Sequence, residues 1–262
     1  MNLKNKTIVA TGISSGIGAA TAKLLKERGA TVIGLDLNVT TENCDQFIQI
    51  DLSKEASIIS ACSQIKGGID SILNIAGVPP TMPPIPVLQV NFTGLRMFTE
   101  LLIPKTNQGS SIVNVASLAG MGWQKTIEQS KALFEIESMD RIGQFCEDHD
   151  IDEENCYEFS KEALIVWTMQ SWNRWKDKGI RINAVSPSAT HTPILSDFME
   201  TVAVRAKKAV EGMADRPQPG QPEDIAPIIA FLASDDSRWL NGVNITAGGG
   251  LFAATAGFRM GF

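Results

Sequence analysis

The chain has 262 residues, a length that a single α/β domain with a large sheet reaches. An apolar content of 44% and a charged content of 20% are typical of globular proteins and exclude a disordered or fibrous chain. The net charge is −6 and lysine and arginine form no run, which excludes nucleic acid and anionic membrane surfaces as expected partners.

The same sequence predicts the cellular compartment of the protein. Its first residues run directly into a strand-like apolar segment without the pattern of a secretory signal, and 18 apolar residues never follow one another. Four cysteines and two histidines lack the spacing of a metal site. We therefore expect a cytoplasmic protein with reduced thiols, no membrane span and no metal.

Apolar runs of strand length alternate with segments of helical period, beginning with a strand, the helix Ile17–Arg28 and a second strand. The runs are continuously apolar, as in a parallel sheet buried on both faces. This order predicts an α/β fold, a doubly wound, Rossmann-type, mostly parallel seven-stranded sheet in one domain over residues 1–262. The predicted strands are Thr7–Ala10, Thr31–Leu35, Phe47–Ile50, Ser71–Ile75, Ser111–Val115, Ile180–Val185 and Val243–Thr246.

A glycine-rich loop lies between the first strand and the first helix, with the spacing G-x-x-x-G-x-G. Such a loop lets a phosphate approach backbone N–H groups at a helix N-terminus, where the helix dipole favours negative charge. A purely structural turn is the alternative. The residues predicted to bind a dinucleotide here are Gly12, Ser14, Ser15, Gly16, Ile17 and Gly18.

Acidic residues follow the next two strands. Asp36 stands 18 positions after Gly18, near the offset at which a carboxylate accepts hydrogen bonds from an adenosine ribose. Because a carboxylate there repels a 2′-phosphate, NAD is expected in preference to NADP, with Leu37 beside it. Asp51 and Leu52 are predicted to border the adenine, although a turn or cap role for Asp51 is an equal alternative.

The fourth predicted strand ends in Asn74-Ile75-Ala76-Gly77. Small residues at the carboxyl edge of a sheet let a cofactor lie flat against the backbone. Asn74, Ala76 and Gly77 are therefore added to the predicted cofactor site, with a simple turn glycine as the alternative for Gly77.

A phenol and an ammonium group lie four residues apart at Tyr157 and Lys161, on a helix predicted to continue through Trp175. Side chains at this spacing project from one face of a helix. A free phenol titrates near 10, and a nearby cation stabilises the phenolate and lowers that pKa. The chain has one tyrosine and eleven phenylalanines, so its sole phenol falls at this position.

These motifs together resemble the short-chain dehydrogenase/reductase family, over essentially the whole chain. The resemblance implies that Ser117 hydrogen-bonds the substrate carbonyl, that Tyr157 is the general acid or base, and that Lys161 binds the nicotinamide ribose and tunes Tyr157. It implies that Asn91 is the fourth catalytic residue, on a helix that holds a water linked to the lysine. The hydride chemistry belongs to the cofactor.

The resemblance continues in segments 183–192 and 243–250, which are similar to the family's nicotinamide loop and last strand. It implies that Pro187, Thr190 and Thr192 contact the nicotinamide half of the cofactor, whereas His191 is expected to pack or cap. The sequence departs from the usual pattern at Ser188, where the family has glycine, and at Ile75, where a second asparagine is common.

A larger departure is the spacing of 40 positions between Ser117 and Tyr157, which predicts a helical insertion over about residues 118–156. It carries ten acidic and three basic residues. This insertion is similar to that of the bacterial 3α-hydroxysteroid dehydrogenase/carbonyl reductase branch. An apolar residue recurs at every third position, which predicts a helix that buries one stripe: Leu133, Ile136, Met139, Ile142 and Phe145.

We expect the insertion to pack beside the helix of Tyr157, to block the helix-pairing surface through which many relatives form tetramers, and to wall an apolar pocket with the C-terminal tail. A homodimer follows; a solvated surface insertion is the alternative. The expected activity is NAD-dependent interconversion of a secondary alcohol and a ketone on a hydroxysteroid or another hydrophobic carbonyl compound. A dehydrogenase of a small or aromatic alcohol or dihydrodiol is the alternative, followed by a non-catalytic dinucleotide sensor.

Overall fold

The computed structural model describes residues 1–201 and 218–260. Its centre is one parallel seven-stranded sheet in the order β3-β2-β1-β4-β5-β6-β7. The strands are β1 (Thr7–Thr11), β2 (Thr31–Asp36), β3 (Gln46–Gln49), β4 (Ile69–Asn74), β5 (Thr106–Val115), β6 (Arg181–Pro187) and β7 (Asn244–Ala247). The order reverses between β1 and β4, which creates the crevice where such sheets bind ligands.

Helices cover both faces of the sheet. They are α1 (Gly16–Glu27), α2 (Glu55–Gln64), α3 (Pro84–Leu88), α4 (Gly94–Leu102), α5 (Ile127–Phe134), α6 (Ile142–Asp148), α7 (Cys156–Gln170), α8 (Ile194–Thr201), α9 (Pro222–Ala233) and α10 (Leu251–Met260). None of the helices in the described part of the chain combines the length and apolar character that crossing a membrane requires.

Two apolar layers form the core, because successive strand residues point to opposite faces. In β1, Ile8 and Ala10 join the layer packed by α1 and α9, whereas Val9 joins the layer beneath α2, α4 and α7. All three side chains are fully buried. The prediction of continuously apolar, doubly covered strands is thereby confirmed.

Local chemistry explains several element boundaries. Helix α9 begins with Pro222 in its first turn and a capping box in which the Gln221 N–H donates to the Asp224 carboxylate at 2.7 Å. Strand β5 begins at Thr106, earlier than predicted, across a register shift against β4. Helix α7 ends at Gln170, where the chain tightens into a 3₁₀ turn at Ser171–Asn173, so the predicted continuation through Trp175 is wrong.

The insertion after Ser117 is helical but not one helix. A 3₁₀ segment at Leu118–Lys125 precedes α5, and a 3₁₀ turn at Met139–Arg141 precedes α6. The predicted apolar stripe is buried as expected, with its members divided between the two helices and the connection. A step of three residues matches 3₁₀ turns better than a long α-helix, which explains the break.

Candidate active site

A cavity of about 1090 Å³ opens at the carboxyl edge of the strands, beside the reversal of strand order. It brings together residues that the sequence analysis placed in one site from separate motifs. Those lining it are Gly12, Ser14, Ser15, Gly16, Ile17, Gly18, Asp36, Leu37, Asp51, Leu52, Ala76, Gly77, Ser117, Tyr157, Lys161, Pro187, Thr190 and Thr192.

The glycine loop has the backbone shape that a dinucleotide requires. Gly12 and Gly16 adopt φ values of 76° and 51°, which favour glycine. A Cβ at Gly12 would lie 2.7 Å from the Ala76 nitrogen, and one at Gly16 would lie 2.9 Å from Thr192 Cγ2. The loop thus packs tightly against two other loops at the N-terminus of α1, a cradle that fits a pyrophosphate.

Asp36 ends β2 at the rim of this cradle. Its carboxylate accepts hydrogen bonds from the Ser14 N–H at 3.0 Å and the Asn38 N–H at 2.9 Å. These two bonds fix the carboxylate beside the glycine loop and leave lone pairs on both oxygens for ribose hydroxyls.

Asp51 also borders the cavity, and its local turn role is evident. One carboxylate oxygen accepts from the Ser53 N–H at 3.0 Å and from the Ser53 hydroxyl at 2.6 Å. The other pairs with Lys54 at 2.9 Å. The position of Asp51 is therefore compatible with both predicted roles, a contact with the adenine and a local turn or cap.

Ser117 and Tyr157 meet at the inner end of the cavity. Ser117 stands just after β5 and caps the following 3₁₀ segment, its Oγ accepting from the Ala119 N–H at 3.1 Å. Burial raises the pKa of the Tyr157 phenol to about 12, the Ser117 hydroxyl hydrogen-bonds to the phenol and opposes this rise, and the negative charge of Glu158 adds to it. A phenol with this pKa is protonated at neutral pH.

Lys161 lies one helical turn from Tyr157, as the spacing predicted. Its Nζ is 5.7 Å from the centre of the Tyr157 ring and donates to the Val115 carbonyl at 3.2 Å. Burial lowers the pKa of this ammonium group to about 8. Burial is the largest influence on the pKa of Tyr157. The prediction that Lys161 lowers this pKa concerns the cofactor-bound enzyme and stays a prediction.

Asn91 lies outside the cavity wall, in a π-helical turn at Gln89–Thr93 that the sequence did not predict. Its Oδ1 accepts from the Val78 N–H at 2.8 Å, and its Nδ2 donates to the Val78 carbonyl and to Ser160 Oγ, both at 3.2 Å. The side chain thus ties the loop after β4 to α7, the helix of Tyr157.

Asn74 does not contribute its side chain to the cavity. It is fully buried, and its Nδ2 donates to Thr99 Oγ1 at 2.9 Å and to Asn114 Oδ1 at 2.8 Å. The motif indicated a cofactor contact, whereas the side chain joins β4, β5 and α4 beneath the site. His191 is exposed rather than packed, and its backbone N–H donates to the Gly220 carbonyl.

The outer wall of the cavity contains residues that sequence reasoning did not single out. They come from the insertion, α7, α8 and α10, and no local motif marks them as wall residues, since only the fold brings these segments together. They are Leu118, Met121, Lys125, Glu158, Ile194, Leu195, Leu251, Phe252 and Thr255. The predicted pocket walled by the insertion and the C-terminal tail is present.

Comparison with known proteins agrees with this geometry. The profile described as short chain dehydrogenase matches residues 6–129, and that described as Enoyl-(Acyl carrier protein) reductase matches residues 142–252. Coniferyl-alcohol dehydrogenase of Pseudomonas sp. (strain HR199 / DSM 7063) is 40% identical over 252 residues, 96% of this chain and 98% of the relative. The chain belongs to the short-chain dehydrogenase family.

Other members of the family match over almost their whole length. The 3-alpha-hydroxysteroid dehydrogenase/carbonyl reductase of Comamonas testosteroni is 27% identical, over 94% of this chain and 96% of the relative. The crystal structure of the 3-alpha-hydroxysteroid dehydrogenase from Pseudomonas sp. B-0831, complexed with NADH, superposes with a TM-score of 0.81 at 25% identity, covering 98% of this chain and 100% of that one. The protein is therefore an oxidoreductase of CH–OH groups with a nicotinamide dinucleotide site.

Proposed function

We propose that the protein is an NAD-dependent dehydrogenase that oxidises an aromatic alcohol to the corresponding carbonyl compound, in a reversible reaction. The observation that carries this proposal is the 40% identity to a coniferyl-alcohol dehydrogenase across nearly the entire chain. The cavity supports it, because apolar side chains from the insertion, α8 and α10 line the same cavity as Ser117 and Tyr157.

The chain's own residues account for the proton transfer. Ser117 hydrogen-bonds the substrate oxygen. Tyr157, as the phenolate in the cofactor-bound enzyme, takes the hydroxyl proton during oxidation, and the phenol returns it during reduction. Lys161 stands within electrostatic reach of the Tyr157 ring and, through Val115, is anchored to the end of β5. The bound nicotinamide would supply the hydride acceptor, held by Thr190, Thr192 and Lys161.

Asp36 is the basis for proposing NAD rather than NADP. Its carboxylate is fixed by two backbone N–H groups beside the glycine loop, where it receives ribose hydroxyls and repels a 2′-phosphate. The NADH complex of the similar hydroxysteroid dehydrogenase supports this choice.

A hydroxysteroid or another hydrophobic secondary alcohol is the second candidate substrate. The likeness to the 3-alpha-hydroxysteroid dehydrogenase, with a TM-score of 0.81, favours it. We place the aromatic alcohol first because the coniferyl-alcohol dehydrogenase is 40% identical to this chain. From the sequence alone, the hydroxysteroid is the first expected substrate.

A substrate screen separates the two candidates. NADH formation is followed with coniferyl alcohol, cinnamyl alcohol and a 3α-hydroxysteroid, each with NAD and with NADP. The proposal predicts the highest kcat/KM for an aromatic alcohol with NAD. A higher value for the steroid would favour the second candidate, and a preference for NADP would overturn the role of Asp36.

A homodimer is part of the proposal. Phe134 of α5 stacks on Phe92 at 5.3 Å, Phe145 of α6 stacks on Phe159 of α7 at 5.9 Å, and Arg96 of α4 bonds two carbonyls of the insertion. The insertion thus contacts α4 and α7, and we propose that it blocks the helix pairing through which tetramers form, which leaves a dimer. The four cysteines are free thiols. A cytoplasmic location stays a prediction.

A further inference from the structure

Among the described residues, five that line the cavity are charged. Asp36 and Asp51 belong to the adenosine end described above, and Lys161 faces Val115 and Gly77, with Nζ 3.5 Å from the position of a Cβ on Gly77. Among the described residues of the wall, this leaves Lys125 and Glu158. Both line the cavity that also contains Leu118 and Met121.

Glu158 follows Tyr157 directly on α7 and is half-buried. Its carboxylate lies close enough to the phenol to raise the pKa of Tyr157, after the larger effect of burial. A carboxylate that lines the cavity and acts on the proton-transferring group is placed to contact a bound substrate.

Lys125, the other charged residue here, acts on a second carboxylate, Glu162. Glu162 is buried on α7 and accepts a hydrogen bond from Thr126 Oγ1 at 2.8 Å. Burial raises the pKa of Glu162, Thr126 and the positive charge of Lys125 lower it, and Glu158 raises it further. Lys125 itself is exposed at the rim. Of these three described groups, Lys125 and Glu158 line the cavity and Glu162 does not.

Building on the proposed function, we propose that Glu158 is a specificity-determining residue that accepts a hydrogen bond from a phenolic hydroxyl of the substrate. A neutral phenol donates one O–H, and a carboxylate accepts it in a short, charge-assisted bond. The apolar walls cover the ring, and Glu158 selects aromatic alcohols that carry a ring hydroxyl over those that lack it.

Binding of small ring fragments tests this role without turnover. Calorimetry measures the affinity of guaiacol and of veratrole, which replaces the guaiacol hydroxyl by a methoxy group, for the protein saturated with NAD. The variants are Glu158→Gln, Glu158→Ala and, as a matched control, Glu147→Gln at an exposed position of α6. Circular dichroism checks the fold of each variant, and the isosteric Glu158→Gln keeps the test valid if Glu158→Ala fails to fold.

Wild type and Glu147→Gln should prefer guaiacol over veratrole by about ten- to a hundredfold, the value of one hydrogen bond to a charged group. Glu158→Gln should reduce that preference, and Glu158→Ala should abolish it. Equal preferences in wild type and Glu158→Gln, or no preference in wild type, would overturn the inference.

The two proposals fail separately. A Glu158-dependent preference for guaiacol without oxidation of any aromatic alcohol would refute the proposed function and leave the phenol site standing. Oxidation of coniferyl alcohol with unchanged fragment binding in both Glu158 variants would support the proposed function and refute the phenol site.

Discussion

Arg96 should hold the insertion on the rest of the fold. The side chain is 14% exposed, and its two terminal nitrogens donate to the Phe134 carbonyl at 2.7 Å and the Ile136 carbonyl at 2.9 Å. Each hydrogen bond to a charged group contributes about 1.5–3 kcal/mol. Because the freed carbonyls regain some water, Arg96→Met should lower the free energy of unfolding by about 2–4 kcal/mol.

Arg96 also pairs with the Glu100 carboxylate at 3.8 Å. Arg174 provides a matched control, since it contacts the same carboxylate at 3.0 Å but is 47% exposed. Arg174→Met should cost less than about 1 kcal/mol, as exposed ion pairs do. Arg96→Lys should fall between the two, because an ammonium group lacks the planar fork that reaches both carbonyls. Denaturant unfolding measures all three variants. A loss in Arg96→Met no larger than in Arg174→Met would refute the role of this arginine.

Three further predictions concern the cofactor, the buried lysine and the assembly. Asp36→Ser should narrow the preference for NADH over NADPH, measured as kcat/KM on one ketone, by about 1–3 kcal/mol; an unchanged ratio would contradict the role of Asp36. Burial lowers the folded-state pKa of Lys161 from 10.5 to about 8, so the unfolded chain binds more protons between these values and stability should rise with pH there. Denaturant unfolding without cofactor should show that the free energy of unfolding of wild type rises by about 3 kcal/mol more than that of Lys161→Met between these pH values. Equal pH dependence in the two proteins would contradict the lowered pKa. Light scattering should show a dimer; a tetramer paired through α4 and α7 would show that the insertion does not block that surface.

Local chemistry made much of the site predictable. The glycine loop, Asp36 and the Tyr157–Lys161 pair could each be predicted from the residue types and spacing within one short segment. Their convergence followed from the parallel order of strands, which brings the carboxyl ends of the strands to a common edge.

Other features depend on tertiary packing and carry no local signal. Asn74 stands in a motif that indicates cofactor binding, yet its side chain bonds Asn114 on the neighbouring strand. The two short helices of the insertion pack on separate aromatic residues: Phe134 stacks on Phe92 of the π-helical turn, and Phe145 stacks on Phe159 of α7. Glu158 reads as a solvated helix residue until the fold places it on the cavity wall.

The most direct test compares wild type with Tyr157→Phe in the oxidation of coniferyl alcohol by NAD. Wild type should form NADH, and the variant, which lacks only the phenol hydroxyl, should lose a factor on the order of 10²–10⁴ in kcat. Its affinity for NAD should stay close to that of wild type in calorimetry. A variant that retains the wild-type rate, or a wild type that oxidises no aromatic alcohol, would contradict the proposed function.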